Sequence, residues 1–273
     1  MNSAFSPGTF GYDIELINAH HELVILEGEQ GKSVIAVSPA WQGRVMTSSL
    51  AGPEGKSMGW INHELIRSGR TEKHVNAYGG EERFWLGPEG GQFSLFFKPG
   101  SPFTPENWYV PAEIDTQPFD VVDKSPSEVS FRKRISLLNY SNTRFDLLVE
   151  RKVKLLDKNG VSNVLGLSTS GLDMVAYETV NTITNMGDHV WTRESGMLSI
   201  WILGMFQPSP STTVIIPFLP GPADDLGAKV NDSYFGEIPG DRLKVEEDVL
   251  FFLADGKQRG KLGISARRVE PYM

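Results

Sequence analysis

The sequence predicts an all-β fold, a large antiparallel sandwich with few short helices. Three observations lead there. Residues 119–156 alternate apolar and charged side chains over two long runs, the pattern of strands with one wet face. Strand-like runs recur at steady spacing along most of the chain, bounded by Gly, Pro, Asn and Asp turns. No alternation of strand and helix, the mark of a parallel sheet, interrupts them.

Taken in order, Asp13 to Ile17, Leu23 to Glu27 and Ser33 to Val37 read as strands, the first two flanking the connection that carries His20 and His21. That His pair reads as a solvated turn in preference to a metal site. Gly43 marks a bulge or bend within residues 39–50, and Gly52, Pro53 and Gly55 close a hairpin. Residues 56–75 hold the best helix candidate: Ile61, Leu65 and Ile66 carry a partial 3.6-residue stripe that ends at Gly69.

The stretch from Asn76 to Phe97 packs glycines, acids, Arg83, Tyr78 and Trp85 into a segment too irregular for a helix. Alternation of Phe93, Leu95 and Phe97 predicts that it feeds a strand. Such a loop suits a polar ligand such as a sugar, or else serves as a turn-rich connection with an internal Glu–Arg pair. Four prolines make 98–113 a loop, in which Trp108 and Tyr109 either cover a ligand or pack on the sandwich.

Val129, Phe131, Lys133, Ile135 and Leu137 form one row, and Phe145, Leu147, Val149, Arg151, Val153 and Leu155 another, joined through Asn139–Asn142. The charged rows opposite them read as cross-strand pairs on a solvated face. Val175 to Asn185 and Met197 to Met205 read as a further pair of strands with a turn at Asn185–Asp188. Thr212 to Phe218 and Val249 to Leu253 add two more. No repeat or linker divides the chain, so residues 1–273 are expected to form one domain.

The 40% hydrophobic content, with 15 Phe and 6 Trp, supplies a sizeable core. A net charge of −8 without a long basic cluster excludes nucleic acid as the expected partner. With no cysteine, disulfides, thiolate nucleophiles and Cys-ligated metals are excluded. The N-terminus has neither the basic nor the apolar region of a signal peptide, and no run approaches the roughly 18 apolar residues of a membrane span. A soluble protein is expected, with cytoplasm and periplasm equally open and no membrane partner. No zinc, phosphate-loop or nucleophile-elbow signature occurs; Ser168 to Leu172 lacks the elbow, and Asp224–Gly227 does not match a calcium loop. No metal and no cofactor are expected.

Trp41-Gln-Gly-Arg44, the Asn76 to Gly91 loop and Asn181-Thr-Ile-Thr-Asn-Met-Gly-Asp188 together resemble the galactose mutarotase-like superfamily, which includes the aldose 1-epimerases. The resemblance implies a large antiparallel β-supersandwich with a carbohydrate held beside residues 74–91. In that superfamily a His and a Glu act as acid and base on a sugar ring. Here Leu198 stands about where the His would fall, and His189 comes too early. Glu270 has no matching surroundings, and the family's final strands have no counterpart before Met273.

The resemblance therefore implies a protein that binds a mono- or oligosaccharide. The alternatives are an aldose 1-epimerase or related carbohydrate-modifying enzyme, and a structural sandwich forming a homodimer through an open sheet edge. Candidate acid–base residues are His74, for its imidazole, with Glu81 and Glu82. Asn76 and Arg83 are candidates for hydroxyl contacts, Arg83 as a bidentate fork. Trp85, Trp60 and Trp108 are candidates for stacking on a pyranose.

Overall fold

A computed structural model describes residues 3–28 and 31–269. The chain divides into two compact units, Met1–Phe206 and Gln207–Met273. Both are built mainly from antiparallel strands with a few short helices.

The first unit begins with helix α1 (Phe10–Asn18), where alternation predicts a strand over Asp13 to Ile17. The helix prevails because Thr9 caps it, accepting a hydrogen bond from the Tyr12 amide. Phe10, Asp13 and Ile17 then fall at i, i+3 and i+7, on one buried face. Strands β1 (Val24–Glu27), β2 (Val34–Ser38) and β3 (Arg44–Ser49) form an antiparallel sheet in that order. Every residue of β2 is buried, because each face of this sheet meets its own core. Val34, Ala36 and Met46 pack with Phe10, Ile17, Leu65 and Ile66. Ile35, Val37 and Val45 join the larger core of Phe84, Phe131 and Val149. The bend at Gly43 is a left-handed pair, Gln42 at φ 61° and Gly43 at φ 65°, ahead of β3.

Helix α2 (His63–Ser68) is capped by the Asn62 side chain and ends at left-handed Gly69, the expected stop, though it spans only six residues. Strand β4 (Arg83–Gly87) pairs with β9 (Ser199–Leu203). No strand forms over 93–97, where the amides of Ser94 and Leu95 bond back to Gly91 and Pro88 and that of Phe96 to the Ser94 hydroxyl. Those turns put Leu95 and Phe96, consecutive residues, both inside.

The four-stranded sheet runs β5 (Asp120–Lys124), β6 (Glu128–Leu138), β7 (Arg144–Leu155) and β8 (Tyr177–Asn185). Its inner rows are the expected ones, Val129, Phe131, Ile135 and Leu137 against Phe145, Leu147, Val149 and Val153. On its outer face Arg132 meets Glu150 at 2.8 Å and Lys152 meets Glu128 at 2.9 Å, the expected cross-strand pairs. The expected β8–β9 hairpin is not made: β8 pairs with β7 and β9 with β4. The turn after Asn185 does form, with the Gly187 amide on the Asn185 side chain at 3.0 Å. Thirteen residues (186–198) then carry the chain to a different sheet. Helix α3 (Lys158–Leu165) links β7 to β8.

The second unit holds β10 (Thr213–Pro217), helix α4 (Ala223–Leu226), β11 (Leu243–Val245) and β12 (Val249–Leu253), in sheet order β10-β12-β11. Arg268 is fully buried there and donates to the carbonyls of Leu219, Gly221 and Gly227. No helix among the described residues is long and apolar enough to cross a membrane.

Candidate functional site

The glycine pair of the Asn76 to Phe97 stretch fixes where its acids go. Gly79 (φ 92°) lies so close to Trp60 that a Cβ would sit 2.0 Å from the Trp60 carbonyl oxygen. A Cβ on Gly80 (φ 111°) would sit 2.7 Å from Cδ of Arg44. Only residues without a side chain allow this passage. It delivers Glu82 against β3, where Glu82 and Val45 exchange backbone hydrogen bonds of 3.0 and 3.2 Å.

Both acids are buried, Glu81 at 3% exposure and Glu82 at 7%. Glu81 Oε1 accepts from the Ser48 amide (2.7 Å) and hydroxyl (2.8 Å), and Oε2 from the Tyr177 hydroxyl (3.2 Å). Burial pushes the Glu81 carboxyl above the ordinary carboxylate range, opposed by the bonds from Ser48 and Tyr177. The Tyr177 hydroxyl is also pushed up, by burial first and by the Glu81 charge second.

Glu82 forms an ion pair with Arg151, whose side chain is wholly buried. The same guanidinium donates to the Gly43 carbonyl (2.9 Å) and to Asn181 Oδ1 (2.6 Å). Thr179 Oγ1 donates to Glu82 at 3.2 Å, and the Asn181 amide donates to Thr179 at 3.2 Å. Burial lowers the Arg151 guanidinium from its ordinary value. Tyr177, Thr179 and Asn181 stand at i, i+2 and i+4 of β8, hence on one face. All three are half-buried. The result is a row of hydroxyl and amide groups at the surface, backed by two buried carboxyls and a guanidinium.

The other expected residues gather elsewhere. Arg83 Nη2 donates to Asp115 Oδ1 at 2.8 Å and to the Ile114 carbonyl at 3.0 Å, and its cation lies 4.2 Å from the Trp85 ring centre. Asn76 reaches the same Asp115 through its amide side chain at 2.7 Å. Neither glutamate pairs with Arg83: Glu82, its neighbour in the strand, turns to the opposite face, Glu81 is taken up by Ser48 and Tyr177, and Asp115 already occupies the guanidinium. Trp85 donates to Glu89 at 2.8 Å, and Phe96 stacks between Trp85 (5.4 Å) and Trp108 (5.5 Å). His74 meets the Trp108 carbonyl at 2.7 Å through Nδ1 and stacks on Tyr109 at 4.5 Å. Trp60 is half-buried and tied through its backbone to Met205 and Gly80. The structure thus brings Asn76 to Arg83, and Trp85 to Trp108 and His74. It joins neither set to Glu81 or Glu82 by any shared hydrogen bond. Among the described residues no group of three or more His, Asp or Glu is placed to hold a metal. Glu270 lies outside the described residues.

A profile described as a family of unknown function, DUF6786, matches residues 8–273. The chain belongs to this family. No curated protein and no solved structure matches it. In this DUF6786 chain the residues that complete the polar cluster, Ser48, Arg151, Tyr177 and Thr179, come from β3, β7 and β8, far from the glycine loop in sequence. Arg151 carried a signal, a cation in an otherwise apolar row of β7. Ser48 and Thr179 carried none, since a serine or threonine in a strand is ordinary.

Proposed function

We propose that this protein binds a carbohydrate, a mono- or oligosaccharide, along the inner row of β8 above Glu81 and Glu82. The observation that carries the reading is the row itself. Tyr177, Thr179 and Asn181 are half-buried, evenly spaced and each hydrogen-bonded to a buried carboxyl, guanidinium or neighbour in the row. Vicinal hydroxyls both donate and accept, and a preorganised row of hydroxyl, amide and carboxyl groups meets them without reorganising. The glycine passage and the buried Arg151–Glu82 pair back that row, the support a binding site requires. The resemblance to the mutarotase-like superfamily points to the same ligand class and to a β-supersandwich as the architecture of the antiparallel sheets.

A second reading is an aldose 1-epimerase or related carbohydrate-modifying enzyme. One observation favours it. Glu81 is a carboxyl driven toward its neutral form by burial, adjacent in sequence to Glu82, which is ion-paired. Carboxyls in such different environments can divide the roles of acid and base. In this reading Glu81 is the proton donor and His74, stacked on Tyr109, takes no part.

The test titrates the full chain with a panel of monosaccharides and short oligosaccharides by calorimetry, alongside Asn181→Ala and Thr179→Ala. Binding by the wild type that is lost in both variants, with the fold intact by circular dichroism, supports the reading. Binding unaffected by either substitution sinks it. Polarimetry of freshly dissolved α-glucose and α-galactose separates the two versions, since only an epimerase speeds anomerisation.

A further inference from the structure

We propose that a groove of the first unit, lined by His21, Trp41, Leu65, Arg70, Tyr78 and Thr116, binds a small organic carboxylate with an apolar, single-ring body. The starting point is Arg44, 1% exposed and without an ion pair among the described residues. Its guanidinium meets two neutral acceptors, the Gly79 carbonyl at 2.9 Å and Gln42 Oε1 at 3.3 Å, and its Nε has no partner among the described residues. A fully buried arginine is ordinarily paired with a carboxylate. The carboxylate whose charge reaches it, Asp115, is already taken up by Arg83 and Asn76. Arg83 adds a second buried cation, and its Nε is likewise unpartnered. Two guanidinia thus share one carboxylate, leaving an excess of positive charge beneath the surface.

That excess lies behind the groove. The Tyr78 ring lines the groove and also lies 5.9 Å from the Arg44 guanidinium. On the groove side Tyr78 stacks on Trp41, with ring centres 4.4 Å apart. Gln42, which holds Arg44, donates to the Gln117 carbonyl at 2.7 Å, between the lining residues Thr116 and Pro118. Arg70 adds a cation to the lining, and among the described residues no Asp or Glu lines the groove. The remaining wall is apolar: Ala40, Trp41, Leu65, Ile66 and Pro118. A volume of about 290 Å³ suits a monocyclic molecule. Apolar walls select a ring or branched chain, and the positive charge selects a carboxylate on it. This ligand is independent of the carbohydrate reading.

The experiment compares benzoate with benzyl alcohol, its neutral counterpart, by titrating the full chain and following the ligand signals and the indole and imidazole resonances by NMR. Benzoate is expected to bind at least about tenfold more tightly than benzyl alcohol, the scale of one charge-assisted hydrogen bond. Perturbed resonances should include those of Trp41 and His21. Arg70→Gln, on an exposed side chain, should weaken benzoate by about threefold to tenfold and leave benzyl alcohol unchanged. Arg44→Met should weaken the preference for the anion, and Arg70→Gln keeps the test decisive if the Arg44 variant does not fold. Equal affinity for the two probes, no binding, or an Arg70→Gln protein that still prefers benzoate to the same degree overturns the proposal.

Discussion

Removing either partner of the Arg151–Glu82 pair should be among the costliest single changes in the chain. Arg151 has no exposed side-chain surface, and Glu82 has 9%. Glu82→Gln leaves a buried guanidinium with only neutral acceptors at Gly43 and Asn181. Arg151→Met leaves a buried carboxylate with the Thr179 hydroxyl. Each should cost about 3–5 kcal/mol, the penalty for an uncompensated buried charge. Replacing both together should cost less than the sum by about 2–3 kcal/mol, because neither charge is then left alone. An internal control lies on the outer face of β7, the strand of Arg151: Glu150 meets Arg132 of β6 in register at 2.8 Å, and the two stay 42% and 55% exposed. Glu150→Gln should therefore cost under about 1 kcal/mol.

Urea unfolding followed by tryptophan fluorescence suits this test, since all six tryptophans lie before residue 207 and report on the first unit. With a slope of about 2–3 kcal/mol per molar urea, each buried variant should move the midpoint down by about 1–2 M. Buried variants that shift no more than the Glu150→Gln control, or a double variant whose cost is the full sum, would refute the reasoning.

Glu81 gives a pH dependence of fixed sign. Its folded carboxyl titrates above the ordinary value of 4.5, so above pH 4.5 the folded state keeps a proton that the unfolded chain has lost. Unfolding free energy from this group therefore falls as pH rises through the raised value. Glu81→Gln should lose that slope, and parallel profiles for the two proteins in denaturation series from pH 4 to 8 would contradict it. Asp115→Ala removes the shared acceptor of Asn76 and Arg83 and should cost about 3 kcal/mol or more, read from the same urea midpoints. Gly80→Ala meets both a left-handed φ of 111° and the Arg44 side chain at 2.7 Å, and should cost about 1–3 kcal/mol. A Gly80→Ala protein as stable as the wild type would show that the passage beside Arg44 is looser than described.

Much of the fold was legible because it rests on local periodicity. The inner rows of β6 and β7, the stop at Gly69 and the turns at Asn139–Asn142 and Asn185–Asp188 all follow from spacing and turn chemistry. Alternation misled where it was short. Asp13 to Ile17 is long enough to resemble a strand, yet the Thr9 cap and the i, i+3, i+7 burial decide for helix. Phe93 to Phe97 alternates without pairing, because turn hydrogen bonds take its amides.

The site was legible only in part. A glycine-rich segment carrying Glu81, Glu82 and Arg83 marks a special backbone, but not which partner each charge takes. Glu82 finds Arg151 at a separation of 69 residues, and Arg83 finds Asp115 at 32. Such pairings depend on which strands become neighbours, which local sequence does not specify. His74 is drawn off for the same reason, toward Tyr109 and the Trp108 carbonyl.

Saturation-transfer NMR of a monosaccharide panel over wild type and Asn181→Ala tests the central claim most directly. Transfer from the protein to at least one sugar, abolished by Asn181→Ala while the urea midpoint of the first unit stays within about 0.5 M, is the predicted result. No transfer to any sugar, or transfer of equal strength in the variant, would contradict a carbohydrate site on the inner row of β8.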